Sequence, residues 1–367
     1  MSTLPPLARV PLLALGLASL VTGVLAGLAR VGVVVPDFGA VQAGTHAALM
    51  ISAFFGAVIS LERAVALGGL WPYLGPGLAG GGGVLLLFGG PLVVAQSLFV
   101  LASGVLLGGS LVVTRKQMAL FTVMLAVGAG CWLAGNLAWI GTGNLHRAVP
   151  LWLAFLVLTI AGERLELTRF LPVRPAAPPS FVLVTAVVLS GAIVAAFDAA
   201  VGLMLFSAGL LALAIWLLAF DIARHTAAQH GLTRFIGICL LSGYAWLGVG
   251  AVAGLAGGFA PGHALHDTAM HAVALGFVFA MVFGHAAIIF PAVLTVKIPY
   301  HPFFYVPLAL LHLSLALRVF GGLADNLALR QWGALANAAT LAVFIATLIA
   351  SVIRGRRQPA RRSGRRV

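Results

Sequence analysis

Residues 264–293 read ALHDTAMHAVALGFVFAMVFGHAAIIFPAV. The stretch holds one charged side chain, Asp267, and its other polar groups are Thr268, His266, His271 and His285. A run this long and apolar crosses a bilayer, for which ~20 residues suffice. Imidazole inside such a run is costly to bury without a partner, so each histidine marks a candidate functional site. It can ligate a metal or haem, carry a proton, or bond a neighbouring helix.

The rest of the chain repeats that character. The 367 residues are 62% hydrophobic and 8% charged, with a mean hydropathy of +1.12. Soluble domains carry roughly 25% charged residues, so this composition belongs to an integral membrane protein. The 45 glycines suit helices that pack closely in lipid. Cys131 and Cys239 sit in apolar runs and are expected to be small buried residues rather than a disulfide or metal site. The first apolar run, from Leu7 to about Val31, is long enough to span and lacks a cleavage site, which predicts a mature helix. The net charge of +13 does not indicate nucleic acid. Much of it lies in Arg354, Arg356, Arg357, Arg361, Arg362, Arg365 and Arg366, a tail over 354–367 expected to meet membrane lipid on the cytoplasmic side.

Breaks at Pro, Gly and charged residues divide 1–353 into a single all-α transmembrane domain of about twelve helices. The predicted limits are 7–30, 44–66, 72–89, 91–113, 118–141, 147–168, 180–199, 201–222, 233–257, 264–293, 302–321 and 331–353. With both termini inside, Arg30, Arg147, Arg318 and Arg330 fall at outer ends, and every other Lys and Arg falls at an inner end. The positive-inside rule therefore predicts cytoplasmic termini.

All eight acids lie at or near span ends on this plan, which argues against a carboxylate proton relay through the membrane centre. Histidines are the ionisable groups left at depth. At about 1.5 Å per residue, His46 and His271 are expected in the outer half, with His312 nearer mid-depth, and the three are expected to share one cavity. His285 is about 21 Å deeper than His271 and, at 100° per residue, returns to nearly the same face, with Ala274, Val278 and Val282 between them. His225, His230 and His301 on one side and His146 on the other are expected to be solvated. His263 and His266 mark the outer mouth. Helices 2 and 6 share an inner-end pattern, Ile59-Ser60-Leu61-Glu62-Arg63 and Ile160-Ala161-Gly162-Glu163-Arg164, and helices 2, 6 and 10 run the same way at intervals of four.

Twelve spans, with Gly44-Thr45-His46-Ala47-Ala48-Leu49-Met50 opening helix 2 and Leu265-His266-Asp267-Thr268 leading to His271, resemble the catalytic subunit of haem–copper oxidases and nitric oxide reductases. The helix-10 histidines and Gly284-His285 also resemble the NnrS family of haem- and copper-associated membrane proteins linked to nitric oxide stress. The resemblance implies three pseudo-repeated four-helix arcs, haem b, copper and a prokaryotic-type inner membrane. It also implies that His46 and His271 are the axial ligands of one haem. His312 or His285 then serves a second haem, and Arg318 and His266 meet propionates. There is no His-His pair and no His-x-His on helix 10, so the binuclear copper site of an oxidase is not encoded in its usual form.

The function expected on this basis is nitric oxide or dioxygen binding, response or reduction, or electron transfer with an electron donor. If the protein is an enzyme, it is an oxidoreductase acting on one of those gases. A haem-free multi-span transporter or permease fits the same spans, glycines and basic tail, and a membrane assembly or haem-handling protein is the third reading.

Overall fold

The computed structural model describes residues 3–172 and 174–357, and among these every regular element is helical. The twelve long helices are α1 (Pro6–Arg30), α2 (Ala48–Leu67), α3 (Leu74–Leu87), α4 (Leu92–Lys116), α5 (Leu120–Thr142), α6 (Leu145–Phe170), α7 (Ala177–Val194), α8 (Ala199–Phe220), α9 (Gly231–Leu255), α10 (His266–Leu294), α11 (Pro302–Leu323) and α12 (Leu327–Arg357). All but α3 are long and apolar enough to cross a membrane, and the protein is a multi-pass membrane protein.

Local chemistry sets the ends. Gly143 closes α5 in the left-handed conformation at φ 67°, where glycine pays no Cβ penalty. The Asn144 side chain caps α6 by accepting from the His146 N–H at 3.0 Å, and Asp198 caps α8 by accepting from the Val201 N–H at 3.1 Å. Both tight joins are real: Gly89, at φ 67°, and Pro91 separate α3 from α4, and Asp198 separates α7 from α8.

Most limits move by a few residues from those predicted, and three of the shifts have a visible local cause. α3 is shorter than 72–89, because Trp71–Tyr73 forms a separate 3-10 turn around Pro72. α2 begins regular structure later than residue 44, after a 3-10 turn at Ala43–Thr45. α12 runs past 353 to Arg357, so the first basic residues of the predicted tail are helical, and the Arg354 guanidinium donates to the Pro299 carbonyl at 2.6 Å. Arg361, Arg362, Arg365 and Arg366 lie outside the described residues.

Neighbouring helices in sequence pack against one another, and α12 returns to touch α1. The α7–α8 hairpin is among the tightest contacts: a Cβ on Gly202 would lie 2.1 Å from the Ala195 nitrogen, so only glycine admits the two backbones there. The predicted interval of four is visible in burial. α2, α6 and α10 have 67%, 72% and 67% of their most apolar window buried, against at most 50% for any other span. These three touch one another at the centre. Their inner-end motifs meet directly, as Arg63 of α2 pairs with Glu163 of α6. A second tie crosses α2, α4, α5 and α6. The Asn136 amide oxygen accepts from Ser52 Oγ and Trp152 Nε1, both at 3.0 Å, and its nitrogen donates to the Phe99 carbonyl at 3.0 Å.

The first and last described helices begin and end, respectively, at one end of the bundle. Arg9 donates to the Val293 carbonyl at 2.7 Å, near the same α10–α11 connection that Arg354 reaches. His46, His271 and the connections preceding α2, α6 and α10 lie at the other end, called here the histidine end.

Candidate functional site

A cavity of about 840 Å³ opens at the histidine end. Its walls come from α1, α2, α6, α8, α10, α11 and α12, so it sits over the three central helices. Concave, mostly apolar spaces of roughly 300–1,000 Å³ with a few convergent polar groups are the usual form of a cofactor or small-ligand site.

His46 and His271 face each other across it, with ring centroids 6.3 Å apart and planes inclined by 28°. His46 Nδ1 lies 2.7 Å from the Gly23 carbonyl of α1, and His271 Nδ1 lies 2.9 Å from the Asp267 carbonyl one turn earlier in α10. A main-chain carbonyl only accepts, so Nδ1 carries the proton in both rings. Nε2 is then the nitrogen with a free lone pair on each. A partner fixing Nδ1 while Nε2 faces a metal is the usual second layer around a ligating histidine.

The chain places these rings by distinct means. Before His46, the Gln42 amide donates to the Leu86 carbonyl at 2.6 Å and the Thr45 hydroxyl donates back to Gln42. Gly27 of α1 then faces the imidazole, and a Cβ there would lie 2.7 Å from Cε1. His271 ends the regular turn His266–His271. Asp267 Oδ1 is 3.2 Å from its Nδ1, and Arg318 of α11 holds the same carboxylate with two bonds, Nε to Oδ2 at 2.7 Å and Nη2 to Oδ1 at 2.6 Å. Arg318 is 6% exposed, and Gly333 lets α12 close directly onto its backbone.

A π-helical segment follows each histidine, Ala48–Phe55 in α2 and Ala272–Phe279 in α10. Such segments are rare and concentrate at functional sites. They bring Phe54, Phe55 and Phe279 into one aromatic layer below the cavity, with centroids 4.7 to 6.0 Å apart.

The cavity brings together four of the predicted residues, His46, His271, His266 and Arg318. His266 Nδ1 is 3.2 Å from the Gly258 carbonyl. Two predicted residues are elsewhere. His312 does not line the cavity: Trp246 Nε1 donates to its Nδ1 at 3.0 Å. That bond puts the proton of the neutral ring on Nε2, which is buried without a partner and has no lone pair for iron. His285 is also outside, with Nδ1 2.8 Å from the Met281 carbonyl. His285 lies deeper than the cavity, and the π segment Ala272–Phe279 advances fewer degrees per residue than an α-helix, so a constant 100° step from His271 does not hold through it. Ala274, Leu275 and Phe279 therefore follow His271 on the cavity wall, while Val278 and Val282 do not.

Arg318 lines the cavity with its Nε and Nη2 committed to Asp267. Arg30, Arg147 and Arg330 are the other guanidinium groups around the cavity. His146, His225, His230 and His301 are exposed as expected, and His146 also stands at the rim of the same space. Cys131 and Cys239 are free and buried, as expected. Among the described residues no group of three or more His, Cys, Asp or Glu is placed to hold a metal ion. The sequence signal for Asp267 was available: it lies four residues before His271, on the same helix face.

Residues 9–353 match a family described as a domain of unknown function (DUF8744). The chain belongs to that family. The match begins within α1 and ends within α12, so the cavity and both facing histidines lie inside it. No curated protein and no solved structure matches the chain.

Proposed function

We propose that the protein is a haem-binding integral membrane protein in which His46 and His271 are the axial ligands. The observation that carries the reading is the 6.3 Å between the two ring centroids. Two metal–imidazole bonds of about 2 Å, plus ~1.2 Å from each nitrogen to its ring centre, set a separation of about 6.4 Å for two rings whose Nε2 atoms turn toward a shared iron. The tied-back Nδ1 atoms, the cavity volume and the small residues Gly27, Gly44, Ala47 and Ala274 on its wall support the same guest. Arg30, Arg147 and Arg330 would receive the propionates, and His266 stands beside them. Cys131 and Cys239 do not line the cavity, which favours haem b over a covalently attached group.

When bound, the haem supplies one-electron chemistry and, with one axial position open, a binding site for nitric oxide or dioxygen. The chain's own residues hold and orient it. Asp267 and Gly23 fix the protons of the two imidazoles, and Phe54, Phe55 and Phe279 keep the space below apolar. The resemblance to NnrS and to haem–copper oxidases adds to this reading. Together with the positive-inside distribution it supports an orientation with the histidine end outside a prokaryotic-type inner membrane and both termini in the cytoplasm.

The test is the absorption spectrum of the purified protein after expression with ample haem. A Soret band that is lost in H46A/H271A and kept in H225A supports the assignment. Absence of a Soret band rejects it and leaves the apolar cavity with its arginine-lined mouth to an amphipathic anion, the permease reading.

A further inference from the structure

The two facing histidines are held unequally. His271 ends a regular turn of its own helix, and its Nδ1 has both the carbonyl and the carboxylate of Asp267 beside it, at 2.9 and 3.2 Å. That carboxylate is immobilised by the two bonds from Arg318, itself buried and backed by α12 at Gly333. His46 follows the 3-10 turn Ala43–Thr45, and its ring has one hydrogen bond, to the neutral Gly23 carbonyl of a different helix. Beside it, Gly27 presents no side chain, and Gly44, two residues earlier, has open space where a Cβ would project.

We infer that, if the haem reading holds, the two axial positions differ in kind: His271 is the permanent ligand and His46 is the one a neutral diatomic gas displaces. An imidazole whose N–H faces a carboxylate is the more basic ligand, and interactions with an ionised acceptor are roughly twice as strong as neutral ones. His46 lacks that support. The gas would take the place of His46 Nε2 on the iron, one bond for another, with no net transfer of protons or electrons. The released ring would keep its proton on Nδ1, donated to the Gly23 carbonyl. Gas therefore binds on the His46 face, and a protein that is six-coordinate at rest becomes a gas receptor without losing its haem.

The test compares the full-length wild type, H46G and H271G, measuring haem content by pyridine haemochrome and carbon monoxide binding to the reduced proteins. H46G is expected to keep most of its haem and to bind carbon monoxide about tenfold faster than wild type, because no protein ligand has to leave first. H271G is expected to lose most of its haem and to regain it in imidazole-containing buffer. In H46G/D267N the iron–histidine stretching band in the resonance Raman spectrum is expected to fall relative to H46G, reporting a weaker remaining ligand. Equal haem loss in H46G and H271G, haem kept only in H271G, or an unchanged carbon monoxide rate in H46G overturns the inequality while leaving the haem reading standing. A wild type without a Soret band overturns both.

Discussion

Gly27 shows how narrowly the site is specified at the scale of single residues. Its missing Cβ would stand 2.7 Å from His46 Cε1. Gly27→Val should therefore push the imidazole off its position and lower haem occupancy several-fold, with an unchanged size-exclusion profile, because α1 remains a good helix elsewhere. His312→Ala should leave the Soret band in place, since Trp246 already fixes the wrong tautomer for ligation. The sequence separated His46 and His271 from the solvated histidines by depth alone, and the structure brings that pair together. It did not reveal Asp267 as the partner of Arg318. That contact joins residues 51 apart in sequence on different helices, and no local spacing encodes it.

The two π segments matter most at the scale of elements. Helical wheels assume a constant turn, so they placed His285 beneath His271, and eight residues of π-helix in α10 are enough to undo that phase. Span limits were legible wherever a cap or a glycine marks them, as at Asn144 and Gly143. They were less legible at α12, where an arginine bonded to the Pro299 carbonyl extends the helix into a basic stretch that looks like a tail. The link between α2 and α6 gives a direct test. A double-mutant cycle with R63Q and E163Q should show a coupling of about 1 kcal/mol, modest because both side chains are partly solvent-accessible. N136A should lower stability by roughly 2–4 kcal/mol in detergent unfolding, because it leaves the Trp152 N–H and the Ser52 hydroxyl without their acceptor inside the bundle.

Seen as a whole, the molecule is a bundle with three central helices at intervals of four, closed by contact between α12 and α1. That interval was visible in the sequence as two short Glu-Arg motifs and as histidines opening helices 2, 6 and 10, and the structure pairs Arg63 of one motif with Glu163 of the other. The cavity could not be read from sequence, because its walls combine residues from seven helices. The start of α1 and the end of α12 lie on one side, so reporter fusions at residue 1 and at residue 367 should give the same signal, cytoplasmic if the positive-inside distribution sets the orientation. The central claim is that the gap between His46 and His271 is sized for iron. Electron paramagnetic resonance of the oxidised, haem-supplied protein tests it most directly. The account predicts a low-spin bis-imidazole signal in the wild type, converted to a high-spin signal in H46G. Wild-type protein that binds no haem, or binds it with a spectrum indifferent to both H46G and H271G, would contradict it.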